Sequence, residues 1–422
     1  MSYKRSLYNV LRSRLLEPPL RIQIVAGPRQ TGKTTLVNQV CNDLLSENLI
    51  HPHFYAVDNP DRQDSSIFRI GGDEVLTPPD RPDVEWLTFQ WNKARFSIAD
   101  GLDKDKKLHV LVFDEIQKIP NWSEAVKGLW DQDRRDGVNL HVVLLGSSPL
   151  LMQQGLTESL AGRYEKLTNT HWSFNEMAEA FSFTLDEYVY FGGYPGGAAF
   201  IREEDRWLDY IRYSLIEPNI QKDIVSMARI HKPALLKLLF EFGCEYSSQV
   251  YAFNNMLGQL KDAGNTTTLA HYLELLSNAG LLTGVMKYTP NKGRIRSSSP
   301  KLNVLNTALM SCYSNYTYQD AINDRTYWGK QVESAVGAHL INTSSMNTEV
   351  YYWRESRDEV DYILKRGNQI IAIEVKSHQK RIKTSGLTKF RAKFPNAKPM
   401  LVGSDGVSLQ EFLSYEADHW FK

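Results

Sequence analysis

The stretch Gly27-Pro-Arg-Gln-Thr-Gly-Lys33-Thr34 fits GxxxxGK(S/T), follows the apolar run Ile22-Gln-Ile-Val-Ala26 and leads into the helix-compatible Thr34-Thr-Leu-Val. A strand, a glycine-bearing loop and a helix in that order make a P-loop, so the motif constrains the fold as well as the chemistry. Its glycines let backbone N–H groups converge on phosphate oxygens, and the helix start adds a favourable dipole. Gly27, Pro28, Arg29, Gln30, Thr31, Gly32, Lys33, Thr34 and Thr35 are therefore the expected contacts to ATP. Lys33 is expected to reach the β- and γ-phosphates, and Thr34 to offer its hydroxyl to Mg2+.

Further apolar runs at Phe54–Val57, Leu108–Phe113 and His141–Leu145 alternate with polar, helix-compatible stretches. This is the pattern of buried parallel strands in a three-layer α/β domain. Leu108–Phe113 runs into Asp114-Glu115, the shape of a Walker B strand whose Asp114 binds Mg2+ and whose Glu115 polarises the attacking water. The run ending Gly146-Ser147-Ser148 places a hydroxyl beside the γ-phosphate if its strand neighbours the P-loop strand. The Pro/Asp-rich stretch 77–83 reads as a surface loop before a helix carrying Trp86, Trp91 and Ala94.

The chain has 422 residues, well past the roughly 250–300 at which single cores stop growing, so two or more domains are expected. Beyond Gly155 the strand-like runs stop, and the segment to about Arg229 reads as helices broken by Gly192-Gly-Tyr-Pro-Gly-Gly197. Helices at Ala234–Phe242, Gln249–Leu260 and behind Thr266-Thr-Thr268, followed by Leu281–Tyr288, suggest a winged helix. The last part reads as a helix (Tyr327–Ile341), strands Glu349–Trp353, Glu359–Leu364 and Gln369–Val375, and a basic helix near Leu387–Phe394. Lys+Arg and Asp+Glu both number 49, so net charge gives no global pull toward nucleic acid or an anionic membrane. The three cysteines form no CxxC pair, and the opening residues carry no apolar segment behind their positive charges. A cytoplasmic protein without a membrane segment is the expectation.

In the last part, Asp361 lies on one strand and Glu374-Val-Lys376 on the next, so Glu374 and Lys376 share a face. Two carboxylates there suit Mg2+ or Mn2+, with the Lys376 ammonium stabilising charge on a phosphate. The bland alternative is a structural salt bridge. Between Val375 and Pro399 eight Lys/Arg residues meet no acidic residue, as at a phosphate backbone or on a solvated basic helix. Lys292, Arg294 and Arg296 form a second basic strip.

Together, Gly27–Leu36, Val112-Phe-Asp-Glu-Ile-Gln117, Leu145-Gly-Ser-Ser148, Glu158-Ser-Leu-Ala-Gly-Arg163, Gly192-Gly-Tyr-Pro195, Glu359-Val-Asp-Tyr362 and Ile373-Glu-Val-Lys376 resemble bacterial and archaeal AAA+-type ATPases that carry a C-terminal PD-(D/E)xK nuclease-like domain of unknown function. The resemblance implies an additional-strand P-loop core, with Val142–Ser147 as its sensor-1 strand, and a sensor at Ser147 or Ser148, with Ser147 ahead. It makes Arg163 an arginine finger or cis sensor, with a homo-oligomer required if it acts in trans. A packing arginine bound to a carboxylate is the alternative. It supplies Glu333 as the fourth member of the Asp361, Glu374 and Lys376 set. It also implies an Asp where Asn306 stands, which removes a charge from that position.

The fold expected is α/β, with a P-loop ATPase core over residues 1–170, a helical lid over 171–230, a winged helix over 231–292 and a PD-(D/E)xK nuclease-like domain over 293–422. The function expected is ATP binding and hydrolysis coupled to DNA binding or to metal-dependent DNA cleavage. The alternative is an ATP-dependent switch or scaffold whose last domain binds a partner without chemistry.

Overall fold

The computed structural model describes residues 3–58, 82–99, 107–147, 159–224, 230–260, 264–290, 298–377, 385–403 and 406–422. They fall into two compact units, Met1–Asn169 and Thr170–Lys422. No described helix is long and apolar enough to cross a membrane.

The first unit is a five-stranded sheet of β1 (Ile22–Ala26), β2 (Ile50–Ala56), β3 (Leu108–Asp114), β4 (Leu140–Gly146) and β5 (Tyr164–Thr168). Their spatial order is β2-β3-β4-β1-β5, and every pairing is parallel. Strand β4 lies between β3 and β1. Strands β1 and β4 are buried along their whole length because helices cover both faces. On one face α1 (Leu7–Leu16) and α2 (Lys33–Ser46) bring Leu11, Leu15, Val37 and Val40 against Val25, Val112 and Val143. On the other, α3 (Val84–Ala99) and α4 (Trp122–Asp136) bring Trp86, Trp91, Val126 and Trp130 against Ile24, Phe113 and Leu144.

Strand β5 corrects the reading that strand-like runs stop after Gly155. It is an edge strand in which Leu167 alone is buried, so its sequence Tyr-Glu-Lys-Leu-Thr has no apolar run to announce it. Residues 77–81 of the Pro/Asp-rich stretch lie outside the described residues.

The second unit opens with short helices. Two of them, Phe174–Phe181 and Leu185–Phe191, start in capping boxes at Ser173/Glu176 and Thr184/Glu187. Helices Pro233–Glu245, Phe253–Gln259 and Thr266–Asn278 follow. Its sheet is mixed and six-stranded, in the order β11-β10-β9-β8-β6-β7. The strands are β6 (Leu282–Lys287), β7 (Lys301–Val304), β8 (Thr348–Glu355), β9 (Asp358–Arg366), β10 (Gln369–Lys376) and β11 (Ala397–Gly403). β6 and β7 pair as an antiparallel hairpin, and β6 also pairs with β8. The 292/293 boundary read from the sequence thus falls between the two strands of one hairpin. The long helix Arg325–Thr343 packs on this sheet, and its Gly337 leaves room for Tyr362 and Asn303, whose oxygens would lie 2.3 Å from any added Cβ.

Helices α3 and α4 are locked by Asp133, which has no exposure and accepts bonds from Trp91 Nε1 at 2.8 Å and Arg95 Nε at 2.7 Å. Asp133→Ala should remove about 3 kcal/mol from the stability of this unit, because the buried Trp91 indole N–H loses its acceptor and the half-buried Arg95 guanidinium loses its charged one. Urea unfolding followed by tryptophan fluorescence measures the loss.

Candidate functional site

The loop between β1 and α2 is shaped by backbone geometry that few sequences tolerate. Gln30 (φ 58°) and Gly32 (φ 82°) are both left-handed, and Gly32 immediately precedes α2. A Cβ on Gly27 would lie 2.1 Å from the carbonyl oxygen of Asn169. The Lys33 ammonium folds back over the loop and donates to the carbonyls of Gly27 at 3.0 Å and Pro28 at 2.7 Å. It is held by oxygens in the region where a phosphate would supply them.

Parallel pairing brings Ala26 level with Gly146, and Phe113 level with Leu144, so the ends of β1, β4 and β3 share one edge of the sheet. There the Thr34 hydroxyl donates to Asp114 Oδ2 at 2.7 Å. Burial raises the Asp114 carboxyl above its ordinary value, against the pull of the Thr34 bond. The hard-oxygen pair of Thr34 and Asp114 suits Mg2+. Next in the chain, Glu115 is left-handed (φ 58°). Its Oε2 accepts bonds from Ser147 Oγ at 2.8 Å and Gln117 Nε2 at 2.6 Å. The structure thus joins Thr34 to Asp114, and Glu115 to Ser147. Ser148 lies outside the described residues.

Three residues of this site were missed in the sequence. Gln117 closes the Val112–Gln117 stretch, where nothing in the letters sets it apart. Asn169 follows β5, and Arg5 precedes α1; no motif marks either. Asn169 is fully buried, donates to the Thr31 carbonyl at 3.0 Å and accepts from Arg5 Nη1 at 2.5 Å, and Arg5 also donates to the Thr31 carbonyl at 3.2 Å. The two side chains thus clamp the P-loop at Thr31.

Arg163 lies elsewhere. Its Nε and Nη2 donate to the two carboxylate oxygens of Asp131 on α4, at 2.7 and 3.0 Å. That bidentate contact holds the Asp131 carboxyl below its ordinary value.

In the second unit Glu333, Asp361, Glu374 and Lys376 gather at one face of the sheet, together with a group the sequence reading passed over, Lys301 on β7. The Lys301 ammonium is fully buried, 2.5 Å from Glu333 Oε1, 3.7 Å from Glu359 Oε1 and 3.9 Å from Asp361 Oδ1. It donates to the Asp361 carbonyl at 3.1 Å and lies 4.6 Å above the Tyr362 ring. Burial by itself would lower its pKa, but the surrounding carboxylates raise it above the ordinary lysine value. Lys376 bonds Glu374 Oε1 at 2.5 Å, and Asp361 Oδ2 accepts from the Val375 amide at 2.7 Å. Burial, reinforced by neighbouring carboxylates, pushes both Glu333 and Glu374 above the usual carboxylate range. The donor set does not fit a divalent ion as it stands, since an ammonium already lies among these oxygens, and no group of three or more ligating side chains suited to a metal occurs among the described residues.

Asn306 belongs to neither site. It is buried, accepts from the amides of Gly193 at 3.1 Å and Ala308 at 3.2 Å, and its amide meets His171 Nδ1 at 3.2 Å. It caps the helix Thr307–Cys312 and anchors the Gly192-Gly193 turn, tasks that a neutral amide performs without burying a charge. Of the basic run, Lys380, Arg381 and Lys383 lie outside the described residues, as do Lys292, Arg294 and Arg296. Lys389 pairs with Asp358 and Lys393 with Glu355. Arg391 and Lys398 are exposed.

A family model described as an AAA domain matches residues 20–178. Two models described as domains of unknown function match residues 182–320 (DUF8612) and 328–412 (DUF4143). An uncharacterized protein of Haemophilus influenzae is 21% identical over 378 residues, covering 84% of this chain and 82% of that protein. Uncharacterized protein MJ1544 of Methanocaldococcus jannaschii is 23% identical over 399 residues, covering 86% and 79%. Among solved structures, AMPPCP-bound DnaA from Aquifex aeolicus aligns with a TM-score of 0.32 and 11% identity, covering 65% of this chain and 87% of that one. The Aeropyrum pernix ORC1 protein in complex with DNA aligns with a TM-score of 0.31 and 12% identity, covering 76% and 94%. The P-loop, the parallel sheet and the family match together make the N-terminal part of this chain an AAA-type ATPase domain.

Proposed function

We propose that the chain is an Mg2+-dependent ATPase whose nucleotide state controls how its C-terminal part holds a partner, with DNA the partner its basic residues suit best. The observation that carries the first half is the pair of bonds Thr34–Asp114 and Ser147–Glu115 at the edge that also holds the P-loop. In this reading the amides of Gly27–Thr35 cradle the phosphates, and Lys33 leaves the Gly27 and Pro28 carbonyls for the β- and γ-phosphates. Thr34 and Asp114 would hold Mg2+, which when bound would neutralise charge developing on the phosphate oxygens. Glu115 accepts the proton of the attacking water, and Ser147 links its carboxylate to the γ-phosphate. Arg163 is left out of the catalytic set because Asp131 occupies its fork, so the reading requires no second copy of the chain.

For the second half, three helices followed by the β6–β7 hairpin support a winged helix. The sheet carrying Asp361, Glu374 and Lys376 beside the Arg325–Thr343 helix supports a nuclease-like fold. Exposed Arg391 and Lys398 support contact with a phosphate backbone. Between cleavage and binding without cleavage, the buried Lys301 ammonium among the carboxylates favours binding.

Lys33→Ala should abolish ATP turnover, and Glu115→Gln should lower kcat by about 10²–10⁴-fold, the usual worth of a general base, with nucleotide affinity kept. Turnover in Lys33→Ala equal to wild type would sink the ATPase reading. Asn169→Ala leaves the Thr31 carbonyl and Arg5 short of a buried partner and should raise KM for ATP about tenfold, with a smaller change in kcat. A gel shift with duplex DNA should differ between ATP-loaded Glu115→Gln and the ADP-bound wild type. Equal mobility in the two states would remove the coupling.

A further inference from the structure

We propose that Lys301 is a built-in cation that takes the place of a divalent metal in the C-terminal carboxylate cluster, so that this part of the chain works without metal. The inference deepens, and rests on, the reading in which that domain binds its partner without cleaving it.

Four oxygens from two elements converge on the Lys301 ammonium: Glu333 Oε1 from the Arg325–Thr343 helix at 2.5 Å, and the Asp361 carbonyl at 3.1 Å, Glu359 Oε1 at 3.7 Å and Asp361 Oδ1 at 3.9 Å from β9. Hard oxygens gathered from helix and sheet around one point are what a divalent ion demands. Here an ammonium with no exposure fills that point, with the Tyr362 ring beneath it. A buried ammonium persists only when paired and hydrogen-bonded, and these oxygens provide both. Lys376 places a second ammonium on Glu374 Oε1. A divalent ion entering the cluster would have to expel one ammonium or sit against it. Glu374 Oε2, on a side chain more than nine-tenths buried, has no hydrogen-bond partner among the described residues, and with Lys376 on the other oxygen and Lys301 nearby it is the ligand atom that removal of the Lys301 charge would leave to a metal ion.

The test is Mn2+ binding to the full-length, nucleotide-free protein, read from the loss of the free-ion electron paramagnetic resonance signal. Any binding abolished by Asp114→Ala is assigned to the P-loop. Wild type should show no Mn2+ site that responds to Asp361→Asn. Lys301→Met keeps the side-chain bulk and removes the charge; it should gain one Mn2+ equivalent, lost again when Glu333→Gln is added. A wild-type Mn2+ site abolished by Asp361→Asn overturns the proposal, as does a folded Lys301→Met variant that binds no additional Mn2+. If Lys301→Met does not fold, the wild-type and Asp361→Asn arms decide alone. A DNA gel shift on wild type in EDTA tests the binding reading separately: a lost shift defeats that reading while leaving the Mn2+ result to stand.

Discussion

The hydrogen bond from Thr34 to Asp114 ties the phosphate loop to the neighbouring acidic strand end, and the rest of the nucleotide site depends on it. It forms because a fully parallel sheet ends β1, β3 and β4 on one edge, with β4 between the other two. The same edge places Ser147 on Glu115. Four functional side chains from three parts of the sequence thus pair along one edge, each within one residue of an end of its element. The clamp of Arg5 and Asn169 on the Thr31 carbonyl adds a second support to the loop. Such outer contacts fix a site to within the fraction of an ångström that phosphate chemistry needs.

The contrast between the two units lies in how each deals with buried charge. In the first, Asp114 is desolvated but bonded to a neutral hydroxyl, which leaves its charge available to a metal ion. In the second, Glu333, Glu359 and Asp361 surround an ammonium that cannot diffuse away. A fixed cation preserves the shape of such a cluster at the expense of its chemistry, because the oxygens that would polarise a water are already engaged.

Much of the first unit was legible in the sequence because its signals are local. The P-loop letters carry their own strand and helix, and buried parallel strands such as Leu108–Asp114 and Leu140–Gly146 are continuous apolar runs. Strand β5 escaped because an edge strand exposes one side and needs only Leu167 in the core. Arg5 and Asn169 escaped because their partner, Thr31, is remote in sequence and no spacing rule links them. In the second unit the Asp361, Glu374 and Lys376 pattern was visible through strand alternation. Lys301 was hidden: one lysine in the short run Lys-Leu-Asn-Val reads as a strand start, and only tertiary packing carries it among carboxylates. Asn306 shows the reverse, a departure that looked like lost chemistry and proves to be a capping and turn-anchoring residue.

The central claim is that Thr34 and Asp114 act together as the Mg2+ ligands of an ATP site. Equilibrium titration of a fluorescent ATP analogue, with Mg2+ and with EDTA, on wild type and Asp114→Asn tests it most directly. The account predicts tighter binding with Mg2+ in wild type and loss of that difference in Asp114→Asn. An unchanged Mg2+ dependence in the variant would contradict it.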